Sequence, residues 1–247
     1  MARAIYLLFG VVAYLIFFAT FLYLIAFVGN LPWVSVTVDR GGADAALPMA
    51  AAIDVGLVAL FGLQHSVMAR QGFKAGWTRI VPHPVERSMY VLLASLVLIV
   101  MMAFWRPIPA TVWSIANPIG VWTMWALFGL GWAIVLLSTF LINHFELFGL
   151  RQVWSHARSQ TIPSPVFREP LFYRAVRHPL YAGFILAFWT TPVMSVGHAL
   201  LAAGMTVYIL IAIRYEERDL VGLFGADYEA YRSRAGMLIP KFRRPAG

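Results

Sequence analysis

A polytopic bundle of membrane-spanning helices, all-α in class, is the fold this chain predicts, and three observations predict it. Hydrophobic residues make up 61% of the 247 and charged residues only 12%, at a mean hydropathy of +0.75. A soluble domain has roughly 45–50% apolar and about 25% charged residues. The apolar residues fall in runs of about twenty, the length that carries a helix through the hydrocarbon core of a bilayer. The runs also lack the strict alternation of barrel strands, so the backbone is satisfied within helices and not around a closed sheet.

Four runs are each long enough to cross alone: Ile5–Val28, Met49–Met68, Ser88–Phe104 and Val121–Ile142. The first is too long for the core of a cleaved signal and has no small-residue cleavage site after it. A fifth apolar region, Tyr181–Tyr215, is too long for one ordinary span. Pro192, with Ser195 and Gly197 beside it, interrupts that region and predicts a hairpin of two short helices, Tyr181–Thr191 and His198–Tyr215.

The basic residues decide the topology. Arg70, Lys74, Arg79 and Arg87 lie between the second and third spans, and Arg151, Arg158, Arg168, Arg174 and Arg177 follow the fourth. The tail carries Arg214, Arg218, Arg232, Arg234, Lys241, Arg243 and Arg244, while the other connections hold one arginine or none. Basic loops stay in the cytoplasm. Both termini and the two basic connections are therefore expected inside, forming a cytoplasmic helical cap. An even number of crossings follows, which the hairpin supplies. The net charge of +8 is thereby accounted for by membrane topology and calls for no nucleic-acid partner. The lipid bilayer is the expected surrounding, and residues 1–247 read as a single domain with its cofactor half at about 136–247.

Absent residues narrow the chemistry. There is no cysteine, hence no disulfide and no thiolate nucleophile. The six histidines are scattered without a metal-binding spacing, and no phosphate-binding glycine loop appears.

What remains is concentrated at the two ends of the hairpin. Tyr173–Trp189 reads YRAVRHPLYAGFILAFW, with Pro179 suited to the first turn of a helix, His178 at its cap and Arg177 just outside. A helix N-terminus carries about half a positive charge and unpaired N–H groups, so with Arg177 this end attracts a carboxylate. The bland reading is an interfacial anchor, with Arg and His reaching for lipid phosphates. If the two helices run antiparallel, Glu216 and Glu217 come level with that corner. Successive helical residues point about 100° apart, so one of the two is the ligand and the other pairs elsewhere or faces water. A positive corner opposite a negative one suits a zwitterion, and S-adenosylmethionine, with its amino-acid head and cationic sulfur, matches it. Tyr173, Tyr181, Phe184 and Trp189 are candidates to flank adenine or the sulfonium.

The fourth span ends STFLINHFELFGL, where Thr139, Asn143 and Glu146 share one face and His144 points off it. Gln64-His65-Ser66 closes the second span. His65 and Asp54 stand as lone groups, open to a structural or a functional role.

From Tyr173 to Pro240 the chain resembles the isoprenylcysteine carboxyl methyltransferase superfamily. The resemblance is carried by Arg177-His178-Pro179-Leu180-Tyr181 with Gly183, by Glu216-Glu217, and by Phe224-Gly225 with Tyr228 and Tyr231. LFGLQHSVMARQGFK (Leu60–Lys74), ERSMYVLLASL (Glu86–Leu96) and LLSTFLINHFELFGLRQVW (Leu136–Trp154) are similar to its bacterial methanethiol S-methyltransferase branch. The resemblance implies an enzyme of the bacterial inner membrane that methylates a small thiol with S-adenosylmethionine at a cytoplasmic site. It implies cofactor contacts from Tyr173, His178, Leu180, Tyr181, Gly183, Glu216, Glu217 and Tyr228. His144 is the first candidate for the base that removes the thiol proton, with Asn143 and Glu146 orienting it. Arg177 is the alternative, stabilising thiolate charge. Another thiol, a lipid or a prenylcysteine carboxylate as acceptor stays open, as does a nicotinamide-dependent reductase or a non-catalytic membrane component.

Overall fold

A computed structural model describes residues 1–163 and 166–241; Arg243 and Arg244, counted above among the tail's charges, lie outside the described residues. The elements are α1 (Ala2–Val28), α2 (Leu47–Ala69), α3 (Gln71–Trp77), α4 (His83–Phe104), β1 (Thr111–Ser114), α5 (Pro118–Ile142), α6 (His144–Leu147), α7 (Leu150–Ala157), α8 (Pro179–Trp189), β2 (Val193–Ser195), α9 (Val196–Phe224) and α10 (Ala226–Arg234). Five of them (α1, α2, α4, α5 and α9) are long and apolar enough to cross a membrane, and α8 is a shorter apolar helix. The expected fold class holds: a multi-pass helical bundle with almost no sheet. Its core gathers Phe27, Val58, Met101, Trp132, Phe188, Met205 and Ile213 from the long helices and α8, with Trp105 just past the end of α4.

The hairpin needs one correction. Its second arm does not stop at Tyr215 but runs on to Phe224, 29 residues in all. Hydropathy marks only the part of a helix that lies in lipid. Past Tyr215 the same helix continues as a polar rod, with Arg70 at the end of α2 paired to Asp219 at 3.2 Å.

The first arm is 11 residues, or roughly 16 Å at 1.5 Å per residue, about half a bilayer. An extended stretch follows it. β2 pairs antiparallel with β1, and three further backbone bonds and one side-chain bond join the two segments: Ile115 N–H to Pro192 O at 2.9 Å, Val196 N–H to Ala110 O at 2.7 Å, Gly197 N–H to Ile108 O at 3.1 Å, and the Trp113 indole N–H to Thr191 O at 3.1 Å. Non-helical backbone at this depth is tolerated only when protein satisfies it, and the loop after α4 does so here. The sequence does not show this pairing, because its partners are some eighty residues apart.

Two glycines bring α8 against α5. A Cβ on Gly183 would lie 2.7 Å from the Gly131 carbonyl oxygen, and one on Gly131 would lie 2.7 Å from the Ala187 nitrogen. Without a hydrophobic force between helices in lipid, small residues that let backbones touch are what hold them together.

Candidate active site

The loop entering α8 is fixed by the chain's far end. Arg177 N–H donates to Gly236 O at 2.8 Å and His178 N–H to Met237 O at 3.1 Å, while Gly236 N–H returns a bond to Ala175 O at 2.9 Å. The residues after α10 thus lie as a short parallel strap along residues 175–178. A Cβ on Gly236 would fall 1.7 Å from the Ile239 carbonyl oxygen, so only glycine fits the strap.

On this base the two glutamates take different tasks. Glu217 is drawn inward: its Oε1 accepts from Arg177 Nε at 2.7 Å and lies 3.0 Å from His178 Nε2. The Arg177 and Glu217 side chains are 9% and 13% exposed, a nearly dry ion pair. Arg177 spends a further N–H on the carbonyls of Arg232 and Ala235, at 3.2 and 2.7 Å. Glu216, one residue earlier, points about 100° away. Its Oε2 accepts from the Tyr181 hydroxyl at 2.8 Å, His178 Nδ1 stands 4.0 Å off, and the side chain is 43% exposed. Its charge is felt at the phenols of Tyr173 and Tyr228. Glu216 is thus an accessible carboxylate held by one tyrosine hydroxyl.

Beside it the first turn of α8 is open. Pro179 has no N–H, no side chain caps the helix, and the first bond into it runs from Ala182 N–H to His178 O. Among the described residues the N–H groups of Leu180 and Tyr181 have no partner. On the outer side of Glu217 a cleft of ≈ 380 Å³ is lined by Arg214, Arg218, Val221 and Arg232.

The remaining cofactor candidates fall around this corner. Tyr173 sits in a 3-10 turn, Leu171–Arg174, with its phenol beside Ser138 of α5; burial and then the Glu216 charge push that phenol above its ordinary value. Tyr228 is buried against Phe167, Tyr231 and Phe224 with its hydroxyl unpartnered. Burial pushes it up as well, with the Glu217 charge adding to the effect. Gly183 faces α5, where its missing side chain serves helix packing.

Asn143, His144 and Glu146 form a second group. Asn143 ends α5 and caps α6: its amide donates to Glu146 Oε2 at 2.7 Å, and Glu146 is ion-paired with Arg151 of α7. His144 is 5% exposed and has both ring nitrogens engaged. Thr139 Oγ1 gives its proton to Leu136 O at 2.7 Å, so it accepts from His144 Nδ1 at 2.8 Å. Nε2 is then the acceptor for the Tyr14 hydroxyl of α1, also at 2.8 Å. The ring stacks on Phe140 at 4.2 Å, and burial holds its pKa below the ordinary 6.5. No hydrogen bond or ion pair among the described residues joins this group to the Arg177–Glu217 corner.

Sequence reasoning passed over Tyr90, Tyr208 and the strap. Tyr208 was discoverable: it precedes Glu216 by eight residues, two helical repeats of four, and so shares its face. Among the described residues no group of side chains could hold a metal ion.

No family model matches the chain, and no solved structure matches it. Curated relatives do. The chain is 48% identical over 240 residues to the methanethiol S-methyltransferase of Crocosphaera subtropica, covering 97% of this chain and 93% of that one. It is 49% identical over 240 residues to the enzyme of that name from Mycobacterium tuberculosis, covering 97% and 98%. It is 50% identical over 233 residues to methanethiol S-methyltransferase 1 of Bradyrhizobium diazoefficiens, covering 94% and 81%. At such identity over nearly the whole length, with the bundle and its charged corner in place, this chain belongs to the methanethiol S-methyltransferase family.

Proposed function

We propose that the chain transfers a methyl group from S-adenosylmethionine to methanethiol, giving dimethyl sulfide and S-adenosylhomocysteine. Names of the relatives supply the acceptor, and the observation on this chain that carries the reading is Glu216. A half-open carboxylate beside two free helix N–H groups fits an amino-acid head, one taking the ammonium and the other the carboxylate. When bound, the donor supplies an electrophilic methyl on a sulfonium.

Each residue of the corner then has a task. Glu216 takes the ammonium, with Tyr181 holding the carboxylate in place. The N–H groups of Leu180 and Tyr181 take the carboxylate. Arg177, His178 and Glu217 neutralise one another and fix the start of α8 against α9, so their role is positioning. Tyr173 and Tyr228 wall the corner, and the tyrosine faces suit a cationic sulfur. Gly183 seats α8 on α5. His144, Asn143 and Glu146 pin the end of α5 to α1 and α7 and so hold that seat. With both nitrogens occupied, the His144 imidazole is suited to this clamp and not to proton removal. A thiolate and a sulfonium cancel charge as they react, so a dry pocket favours the step.

The corner is read as facing the cytoplasm of a bacterial inner membrane, with both termini and a helical cap on that side, and the whole chain as one catalytic domain. Headspace analysis of cells expressing the chain and fed methanethiol tests the reaction. Dimethyl sulfide above the vector control is expected; its absence, with the protein present in the membrane, rejects the acceptor. Binding of S-adenosylhomocysteine but not NADPH by the purified chain is expected, and the reverse rejects the donor.

A further inference from the structure

Resting on that reading, we infer that His65 is the catalytic base for the thiol, set in a cluster of aromatic side chains inward of Glu216. Helix register places it there. α2 and α9 run parallel and side by side: Val58 meets Gly204, Gly62 meets Tyr208 and Arg70 pairs with Asp219. Arg70 is therefore near the level of Glu216. His65, five residues earlier, lies about 7 Å deeper in the bilayer at 1.5 Å per residue.

Its ring is enclosed by aromatic faces: Tyr90 at 5.1 Å, Phe61 at 5.3 Å and Tyr208 at 6.2 Å between centroids. One of these, Tyr208, lies on α9 eight residues before Glu216 and so on the same side of that helix, which sets the cluster beside the donor's head site. Titratable and charged groups facing His65 are Tyr90 and Arg87 from α4 and Tyr208 from α9. None of them is a carboxylate.

The decisive feature is that His65 is uncommitted. Its Nδ1 is buried without a partner, and neither ring nitrogen is in a hydrogen bond among the described residues. The other inward-facing histidines are bound: His144 at both nitrogens, His178 to Glu217, and His198 to Phe188 O. Buried polar atoms are normally satisfied, and an exception asks for a reason. A thiol S–H donating to that ring supplies one.

The step balances simply. As the thiol sulfur forms its bond to the donor methyl, the S–H proton passes to His65. The methyl–sulfonium bond breaks with its electron pair staying on the donor sulfur, and the imidazolium then loses its proton to solvent. Removal of the proton during attack matters because an alkyl thiol is scarcely ionised at neutral pH; even cysteine sits at about 8.5. General bases of this kind contribute 10²–10⁴-fold.

The experiment compares wild type, His65→Gln and His65→Asn, purified in lipid nanodiscs. With methanethiol at pH 7, both variants are expected to lose about a hundredfold or more in kcat/KM. Their rates should rise tenfold per pH unit with the thiolate, where wild type levels off. With the more acidic 2,2,2-trifluoroethanethiol, most of the loss should vanish. S-adenosylhomocysteine affinity should stay within about twofold, because the head site is untouched. In the wild type loaded with S-adenosylhomocysteine, the 15N resonance of His65 should shift when ethanethiol is added. Wild-type rates in the variants, equal losses for both thiols, or an unmoved resonance overturns the assignment of His65 alone. A wild type that binds S-adenosylhomocysteine but methylates no thiol overturns the proposed function and this base with it.

Discussion

Two adjacent carboxylates show how much one helical step decides. Glu217 neutralises Arg177 and His178 in a nearly dry corner, so Glu217→Gln leaves a buried guanidinium unpaired. A stability loss of about 3–5 kcal/mol is expected, read as a lower unfolding temperature in detergent. Glu216→Gln removes an accessible charge instead, so unfolding should barely move. His144 offers a pH signature. Its folded pKa is depressed by burial below the ordinary 6.5, so the unfolded chain takes up a proton first as pH falls. The stability it contributes is fully present above about pH 6.5 and is lost as pH drops through the lower folded value. A thermal-melt series from pH 8 to 5 should therefore fall at the acid end, and His144→Gln should flatten that fall while lowering the plateau. The sequence identified the charged residues at the corner because the hairpin brings Arg177-His178 and Glu216-Glu217, at the two ends of one apolar region, to the same level. It left the two glutamates unassigned, since choosing between them takes the rotation of α9 about its axis, which only packing sets. It likewise grouped His144 with Asn143 and Glu146 by proximity in the chain, although the imidazole's partners, Tyr14 and Thr139, lie on different helices.

At the scale of elements, the long helices were legible because each must satisfy its backbone alone in lipid and so writes itself as a continuous apolar run. The hairpin was legible from Pro192. The reach of α9 beyond Tyr215 was not, because a helix leaving the membrane keeps its hydrogen bonds while losing its hydropathy. Nor was the strap from Ala235 to Leu238, whose partners lie some sixty residues upstream with no local periodicity to announce them. Both contacts yield predictions. Gly183→Ala puts a methyl 2.7 Å from the Gly131 carbonyl oxygen, a backbone atom that cannot swing aside. It should cost about 1–3 kcal/mol and weaken S-adenosylhomocysteine binding by shifting the start of α8. Gly236→Ala should release the strap from Arg177 and His178. Limited proteolysis should then cut the tail faster than in wild type, and unchanged cleavage would remove the strap from the account.

The whole molecule is a bundle whose charge asymmetry and half-length helix serve one end. On the proposed topology, five full-length helices and the α8–β2 segment make an even number of traverses, with the basic connections and the tail on one face. Reporter fusions at the two termini should both read cytoplasmic; opposite readings would mean that α8 turns back without crossing. Bending the chain at Pro192 is what lets the N-terminal turn of α8 meet the outgoing end of α9, so a cationic helix start and an accessible carboxylate come together at one membrane level. The most direct test of that convergence is calorimetric binding of S-adenosylhomocysteine to wild type and Glu216→Gln in nanodiscs, with unfolding temperatures measured alongside. Affinity should fall about ten- to a hundredfold at an unchanged unfolding temperature, the worth of one charged hydrogen bond. Wild-type affinity in Glu216→Gln would contradict the site as described.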